Sequence, residues 1–189
     1  DNSPFTNYQL LLLQLEIPLP AVLRAAQRAK ENNVRVILNP APAQQLPDEL
    51  IALADYIIPN ETELSLLTSQ KIEDIPSAES AARDLLRRGA KNVIVTLGSK
   101  GALLVNAETS KQIHTFKVEV VDTTAAGDAF IGGFATSLLE NKSLEEAVRF
   151  GCACGALATT KFGAQPSLPM KEEVEKIIST SSTSLRTSL

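Results

Sequence analysis

Short, mostly apolar runs recur along the first half of the chain, and amphipathic stretches separate them. Such runs occur at residues 9–15, 34–38 and 92–97. An apolar run of this length predicts a strand that is covered on both faces, as in a parallel sheet. Parallel neighbours need a crossover connection, which is usually a helix and is right-handed. The alternation therefore predicts a three-layer α/β/α fold with a mostly parallel sheet.

Turn and capping residues set the bounds of the remaining predicted elements. Further strands are predicted over residues 56–58, 102–105 and 113–121, with a turn at 106–110. Helices are predicted over residues 21–32, 46–54, 60–68, 77–88, 127–140, 143–161 and 170–179. The best-marked helix start is Ser143 followed by Glu146, the residue types of a capping box.

The length and the ends of the chain bear on its domain organisation. A chain of 189 residues can bury one sizeable core, which predicts one domain over residues 1–178. Residues 179–189 are rich in serine and threonine and poor in apolar residues, so we expect a disordered tail. The only methionine is Met170, and a strand pattern begins almost at once. We therefore expect a fragment that lacks an N-terminal portion.

Charge and hydrophobicity exclude two classes of partner. No stretch of the sequence approaches the roughly 18 consecutive apolar residues of a membrane-spanning helix. The net charge is −4, the basic residues are scattered, and there is no tryptophan. A nucleic-acid-binding protein carries a basic face, often with aromatic side chains on which bases stack. The sequence predicts neither a membrane nor a nucleic acid as a partner.

Cys152, Cys154 and His114 belong to the residue types that most often bind metals or act as nucleophiles. The two cysteines are two positions apart in a predicted helix, where such residues face different directions. That spacing suits neither a shared metal nor a disulfide, and it predicts buried, reduced thiols in a cytoplasmic protein. The single histidine has polar neighbours and no partner nearby in sequence, so we expect it at the surface.

The segment 122–130 (DTTAAGDAF) follows a predicted strand and opens a predicted helix. Small residues at 125–127 let a ligand approach the backbone, and the N–H groups at a helix start bind anions. Asp128 lies in the same anion site. A carboxylate there makes chemical sense if it takes a proton from a hydroxyl that attacks a phosphate. Taken alone, Asp128 is more simply an acid that the helix dipole stabilises by about 0.3–1 kcal/mol.

A second glycine-containing segment, residues 96–101 (TLGSKG), follows another buried strand. Neither this segment nor 122–130 fits the Walker A pattern G-x-x-x-x-G-K-[ST] or the dinucleotide pattern G-x-G-x-x-G. A P-loop NTPase and a Rossmann dehydrogenase are thus disfavoured. Taken alone, residues 98–101 are explained as well by a tight connection between two strands.

Six short motifs occur here in the order found in ribokinase-like carbohydrate kinases, and the chain resembles that family up to about residue 178. They are residues 14–16 (QLE), 39–43 (NPAPA), 60–63 (NETE), 96–101 (TLGSKG), 122–128 (DTTAAGD) and 163–167 (GAQPS). The family also has an N-terminal region with other sugar contacts and a small β lid. Nothing in this sequence matches that region.

The resemblance implies roles for individual residues. Asp128 is then the base that deprotonates the sugar hydroxyl, and Glu16 contacts the sugar. The backbone N–H groups of Ala125, Ala126 and Gly127 form an anion hole for the transferring phosphoryl group. The implied nucleotide contacts are Asn60, Thr96, Leu97, Gly98, Ser99, Lys100, Gly101, Gly127, Asp128 and Cys152.

The resemblance also implies two metal sites. Glu63 helps to hold a hydrated Mg²⁺, a cation that prefers oxygen ligands and keeps several waters. A monovalent cation, usually K⁺, lies beside the anion hole, and several of its ligands are backbone carbonyls. Its implied ligands are Asp122, Thr124, Ala158, Lys161, Gly163 and Ser167.

Two positions depart from the family pattern. Ala125 stands where the wider family usually has glycine, and alanine restricts the backbone more. Cys152 stands near the adenine, where histidine or asparagine is more usual, so a hydrogen bond there is lost or weakened. Gly151 and Gly155 have G-x-x-x-G spacing in a helix too short and polar for a membrane dimer, so we expect close helix packing.

The implied function is phosphoryl transfer from ATP to the primary hydroxyl of a sugar, with ribose as the first candidate and Mg²⁺ and K⁺ as cofactors. Other acceptors, such as fructose or adenosine, stay open, since only Glu16 favours ribose here. Two further alternatives are a nucleotide-binding fragment without activity and a plain α/β domain with fortuitous motifs. The free thiols and the lack of a targeting segment in this sequence favour the cytoplasm. The resemblance also implies that the intact protein dimerises through the lid.

Overall fold

The computed structural model describes residues 7–184, and it describes side chains through Ser181. The strands are β1 (Leu10–Leu13), β2 (Arg35–Leu38), β3 (Tyr56–Ile57), β4 (Asn92–Thr96), β5 (Ala102–Asn106) and β6 (Ser110–Ile113). The helices are α1 (Leu19–Glu31), α2 (Asp48–Leu53), α3 (Glu61–Thr68), α4 (Ile75–Arg87), α5 (Ala126–Leu139), α6 (Leu144–Ala158) and α7 (Lys171–Ser184).

The described chain divides into two compact units where one domain was predicted. The first unit holds the residues up to Leu97 together with Leu103–Gln112, and the second holds Gly98–Ala102 and the residues from Ile113 onward. The first unit carries most of the sheet, and the second carries α5, α6 and α7.

The sheet has six strands in the order β1-β2-β3-β4-β5-β6. Its first four strands are parallel neighbours, and the register pairs Leu11 with Val36 and Ile57 with Val93. Helices connect these strands, which confirms the predicted alternation of strands and crossover helices.

Both faces of strand β2 are buried. Val36 and Leu38 point into the main apolar cluster, with Val93 and Val95 beside them. Ile37 alternates with its neighbours and is also fully buried. Because successive side chains of a strand point to opposite faces, both faces of β2 are covered. Burial on both faces explains why residues 36–38 of this strand are all apolar.

Helix α4 begins two residues earlier than predicted. We expected the helix to open at Ser77, but it opens at Ile75 and Asp74 is its N-cap. The Asp74 carboxylate accepts a hydrogen bond from the Ser77 N–H at 2.9 Å, and the Ser77 hydroxyl accepts one from the Asp74 N–H at 3.0 Å. Both residue types cap helices, and here Ser77 serves as the third helical residue of a capping box.

The strand predicted over residues 113–121 is wrong, because β6 ends at Ile113 and no strand follows up to residue 121. The backbone of this segment bonds elsewhere. The Val121 N–H donates to the Thr159 carbonyl at 2.7 Å. The Thr115 hydroxyl donates to the Cys152 carbonyl at 3.4 Å. These polar groups therefore bond to α6 and the residue after it.

Helix α7 continues to Ser184, so the disorder predicted for residues 179–184 is wrong. The hydroxyls of Ser179 and Thr180 donate to the Lys176 carbonyl, each at 2.8 Å, and the Ser181 hydroxyl donates to the Ile177 carbonyl at 2.9 Å. Serine and threonine can thus bond back to the preceding turn of a helix. The remaining residues of the predicted tail, 185–189, lie outside the described part of the chain.

Helices α5 and α6 pack closely in the second unit, at glycines. A Cβ on Gly151 would lie 2.9 Å from the Phe130 carbonyl oxygen, and one on Gly155 would lie 3.1 Å from the Ala126 carbonyl oxygen. On the facing helix, a Cβ on Gly133 would lie 2.4 Å from the Cys154 Sγ. The G-x-x-x-G spacing therefore serves helix packing, as predicted. No helix within residues 7–184 is both long and apolar enough to cross a membrane.

Candidate functional site

In the first unit, polar residues follow the carboxyl ends of adjacent parallel strands. Glu16 comes after β1 and is exposed, Asn39 follows β2 directly, and Asn60 follows β3. The last residue of β4, Thr96, donates its N–H to the Pro59 carbonyl at 2.9 Å and forms a parallel bridge with Asn60. The predicted sugar contact and two predicted nucleotide contacts thus lie along one edge of the sheet, where α/β proteins bind ligands.

Asn60 and Glu63 form a capping box at the start of α3. The Asn60 Oδ1 accepts from the Glu63 N–H at 2.8 Å. In return, the Glu63 carboxylate accepts from the Asn60 N–H at 2.8 Å and from the Asn60 side-chain amide at 2.9 Å. Both residues were predicted to contact ligands, and the cap that they form was not predicted. The signal was present, because an N-cap residue followed three positions later by glutamate marks a helix start.

The Glu63 carboxylate is poorly placed to bind a metal directly. The residue is only 7% exposed, and this burial raises the pKa of its carboxyl, while the hydrogen bond from the Asn60 backbone lowers it. Both carboxylate oxygens already accept hydrogen bonds from Asn60. A hydrated Mg²⁺ that reaches Glu63 through a water needs only a remaining lone pair, and Mg²⁺ keeps several waters in protein sites. The residue therefore fits the water-mediated role that was predicted for it.

The glycine-containing segment crosses from one unit to the other. Leu97 is 3% exposed, so its side chain is closed to a nucleotide. Gly98–Lys100, which includes Ser99, forms an exposed 3₁₀ turn in the second unit. Gly101 has φ +94°, and a Cβ there would lie 2.1 Å from the Ile113 carbonyl oxygen. Only glycine fits where two backbones come this close.

Asp122 organises the approach to α5. Its carboxylate accepts from the Thr124 N–H at 2.9 Å, from the Thr124 hydroxyl at 2.7 Å and from the Gly163 N–H at 2.9 Å. These bonds, first that from Gly163, lower the pKa of the Asp122 carboxyl. Three of the six predicted ligands of the monovalent cation are therefore brought together. A capping role within the turn explains the bonds to Thr124, but the bond to Gly163 joins segments far apart in sequence.

The start of α5 has an unusual backbone. Ala125 is the N-cap residue and adopts the left-handed conformation, with φ 59° and ψ 10°. This conformation costs a non-glycine residue about 1–2 kcal/mol, which explains why glycine suits this position. No side chain caps the helix, and the Ala126 N–H makes a long bond of 3.3 Å to the Thr123 carbonyl. Strained backbone of this kind is concentrated at functional sites.

Asp128 lies in the first turn of α5, and both Gly127 and Asp128 are exposed. The first N–H groups of a helix have no partner within that helix. An anion that binds at this end would therefore lie close to the Asp128 side chain. A carboxylate that stands in solvent at an anion-binding helix end is accessible to a substrate hydroxyl.

The other predicted cation ligands lie in the segment that follows α6. Ala158 is the last residue of that helix and is fully buried, and its carbonyl receives the Lys161 N–H at 3.5 Å. The Lys161 ammonium pairs with Glu173 at 3.2 Å, so its side chain points to an acid on α7. Ser167 is fully buried, and its hydroxyl donates to the Ala164 carbonyl at 2.6 Å. The oxygen atoms of this segment are of the type that K⁺ and other hard cations bind.

Cys152 is 3% exposed, and its Sγ donates to the Ile113 carbonyl at 3.9 Å. Burial raises the pKa of the Cys152 thiol to about 12, and that of the Cys154 thiol to about 12 as well. Both are free, buried thiols, as predicted, and His114 is exposed. The Cys152 side chain faces the backbone of the neighbouring segment, which weighs against a side-chain hydrogen bond to a base. Within residues 7–184, no three His, Cys, Asp or Glu side chains converge as a metal site.

Comparison with known proteins decides the family. Residues 3–171 match the pfkB family of carbohydrate kinases. The chain belongs to this family. It is 52% identical over 163 residues to the ribokinase of Haemophilus influenzae, a match that covers 86% of this chain and 53% of that protein. The chain thus spans about half the length of the curated relatives that it matches.

Two solved structures of kinases are similar to the chain. The ribokinase of Arabidopsis thaliana, solved with ribose and ATP, is 38% identical with a TM-score of 0.86, over 89% of this chain and 55% of that one. The phosphofructokinase-2 of Escherichia coli, solved with potassium, is 30% identical with a TM-score of 0.79, over 92% of this chain and 56% of that one. The predicted α/β fold of a ribokinase-like carbohydrate kinase is confirmed.

Proposed function

We propose that the protein transfers the γ-phosphate of ATP to the primary hydroxyl of a sugar, and that ribose is the acceptor. The observation that carries the proposal is the exposed Asp128 carboxylate in the first turn of α5, directly after the left-handed Ala125. The similarity to ribokinases supports ribose as the acceptor. Glu16, exposed just beyond β1, is our candidate for holding the sugar.

In the proposed reaction, Asp128 accepts the proton of the sugar hydroxyl as the hydroxyl oxygen attacks the γ-phosphorus. The new O–P bond forms while the bond from the γ-phosphorus to the bridging oxygen of ATP breaks, and ADP leaves. The backbone N–H groups of Ala125, Ala126 and Gly127 face the charge that gathers on the transferring phosphoryl oxygens. Asn60 and residues 96–101 contact the nucleotide, and Cys152 lies near the adenine without a side-chain hydrogen bond to it.

Two cations complete the proposal. Mg²⁺ supplies charge neutralisation at the phosphates, and Glu63 would hold its hydration shell through water. A monovalent cation, K⁺ in the first instance, would bind near Asp122 and Thr124 with carbonyl oxygens of residues 158–167. The similarity to a phosphofructokinase-2 that was solved with potassium supports this second cation. The buried, free thiols favour a reducing compartment such as the cytoplasm.

The test is a coupled ADP-release assay with ribose on a chain extended to the length of the matched ribokinases. Asp128→Asn should lower turnover by roughly 10²–10⁴, the usual contribution of a catalytic base, and should leave ATP binding intact. Glu145→Gln is the matched control, because Glu145 is also an exposed acid in the first turn of a helix. Turnover by Asp128→Asn at the rate of the control would refute the base.

The same assay separates the alternatives. Turnover with fructose or adenosine in place of ribose would identify a different acceptor. Turnover only by the extended chain would make the 189-residue chain a nucleotide-binding scaffold. If ATP raises the melting temperature of neither chain, neither chain binds the nucleotide and the proposed function fails. Dimerisation of the extended chain through a lid, which we also propose, is measured by light scattering.

A further inference from the structure

Three strand ends meet around the side chain of Asn39. This residue follows β2 directly and is 8% exposed. Its side-chain amide donates to the Ile58 carbonyl at 3.0 Å, and its Oδ1 accepts from the Gln14 amide at 3.3 Å. Its backbone N–H donates to the Leu13 carbonyl at 2.9 Å. One buried residue thus ties the end of β2 to the ends of both neighbouring strands.

These bonds lie next to two residues with proposed ligand roles. Gln14 is two residues before Glu16, the proposed sugar contact, and Ile58 is two residues before Asn60, the proposed nucleotide contact. A further bond strengthens the connection, since the Leu15 N–H donates to the Ala41 carbonyl at 2.7 Å. A buried amide that is bonded on both sides has one orientation, so the two strand ends are held at a fixed separation.

We propose that Asn39 is a positioning residue that sets the distance between the sugar contact and the nucleotide contact. The inference rests on the proposed function, because it assigns Asn39 a part in the use of sugar and ATP. Phosphoryl transfer requires the hydroxyl and the γ-phosphate to meet with little error in position, so a rigid link between the two contacts serves the reaction.

Asparagine is the side chain that this link needs. One end of the amide must donate to a carbonyl and the other must accept from an amide. In Asn39→Asp the carboxylate keeps the acceptor for Gln14 but turns a second acceptor toward the Ile58 carbonyl. In Asn39→Leu both bonds are lost, and the buried Ile58 carbonyl and the half-buried Gln14 amide are left without this partner.

Asn92 offers a matched control at the opposite, amino end of the same sheet. It is half-buried at the start of β4, and its side-chain amide donates to the Asp55 carbonyl at 3.0 Å. Its Oδ1 accepts from the Asn106 amide at 3.1 Å. Asn92 thus makes the same kinds of bond as Asn39, but far along the strands from the proposed ligand contacts.

The experiment compares Asn39→Asp, Asn39→Leu, Asn92→Asp and Asn92→Leu in the extended chain. Melting temperature and the KM for ribose, the KM for ATP and kcat are measured for each. Loss of one hydrogen bond of ordinary strength corresponds to about a tenfold change in an equilibrium constant. We expect both Asn39 variants to raise both KM values by about tenfold. The Asn92 variants should lower the melting temperature without changing either KM.

Unchanged KM values in the Asn39 variants would overturn the inference, as would equal KM changes in the Asn92 variants. If Asn39→Leu does not fold, the nearly isosteric Asn39→Asp carries the comparison alone. Failure of the proposed function looks different, because the unmodified extended chain would then phosphorylate no ribose at all. That result would remove the inference together with the function on which it rests.

Discussion

Replacing Gly101 by alanine should disrupt the close approach of Gly101, which directly follows the exposed turn at residues 98–100, to the backbone of residues 113–115. The new Cβ would lie 2.1 Å from the Ile113 carbonyl oxygen and 2.7 Å from the Thr115 backbone nitrogen. These neighbours are backbone atoms, so no side chain can rotate out of the way. The turn or the segment must shift, and the turn carries proposed nucleotide contacts.

The expected cost has two parts. Gly101 has φ +94°, and a non-glycine residue pays about 1–2 kcal/mol for a left-handed backbone. Overpacking adds typically about 1–3 kcal/mol. Gly98→Ala is the control, because Gly98 also has a positive φ, +53°, but a Cβ there meets nothing within 4 Å. Gly98→Ala should therefore be destabilised only by backbone strain, by about 1–2 kcal/mol. Gly101→Ala should be destabilised by strain and overpacking together, by about 2–5 kcal/mol.

Urea denaturation measures both costs, and the rise in melting temperature with added ATP reports nucleotide binding. We expect Gly101→Ala to unfold at lower urea than Gly98→Ala and to lose most of the ATP-dependent rise. Equal denaturation midpoints for the two variants would mean that residues 113–115 do not approach Gly101 closely, and the reasoning would fail.

Two further predictions concern the stability of the two units. Burial would raise the pKa of Asp55, but hydrogen bonds from Lys30 and Lys91 leave it below its ordinary value. Such a carboxyl stabilises the fold above its unfolded pKa of about 3.9 and loses that contribution as the pH falls through its folded pKa. Asp55→Asn should therefore lower the free energy of unfolding at pH 7, measured by urea denaturation, by about 1–3 kcal/mol. It should also reduce the loss of stability that the unmodified protein shows below about pH 4. An unchanged dependence of stability on pH would contradict this prediction. Gly151→Ala should destabilise the α5–α6 packing by about 1–3 kcal/mol. Gly132→Ala is the control, because a Cβ there meets nothing within 4 Å, and it should stabilise α5 by up to about 1 kcal/mol. Thermal melts that rank the two variants in the opposite order would refute the close packing at Gly151.

The buried strands were predictable because burial on both faces requires apolar residues at successive positions. Residues 36–38 of β2 and 93–95 of β4 are all apolar and rich in β-branched side chains, which favours strands. The capping box at Ser143 and Glu146 was equally predictable, because it depends on two residues three positions apart. Local sequence signals of this kind predict the structure correctly where no long-range contact overrides them.

The misplaced strand at residues 113–121 shows what a local pattern omits. Its apolar residues suit a strand, but Val120 and Val121 are each 60% exposed. The segment bonds instead to residues of and just beyond α6, more than thirty positions away in sequence. A pairing at such a distance has no signal in a single sequence. The predicted start of α4 was wrong for a local reason. Asp74 and Ser77 are both residue types that cap helices, and the sequence alone does not decide between them.

The site residues were predicted from resemblance, and their geometry was not. Nothing in the sequence shows that Ala125 is left-handed, since alanine rarely adopts that conformation. The cap that joins Asn60 to Glu63 was readable from their spacing, but the burial that raises the pKa of Glu63 depends on the packed fold. Chemistry can be predicted from residue types, whereas burial and backbone strain need the structure.

The two explanations of Asp128, helix stabiliser and base, describe one electrostatic arrangement. The dipole of α5 favours negative charge at its first turn, so both the side chain of Asp128 and a phosphate suit this end of the helix. Two negative groups at one helix end repel each other, and that repulsion falls when the carboxylate takes up a proton. In the proposed reaction the proton arrives from the attacking hydroxyl, so relief of repulsion accompanies formation of the nucleophile. The close packing of Gly155 against the Ala126 carbonyl, where a Cβ would lie at 3.1 Å, fixes the helix end at which this occurs.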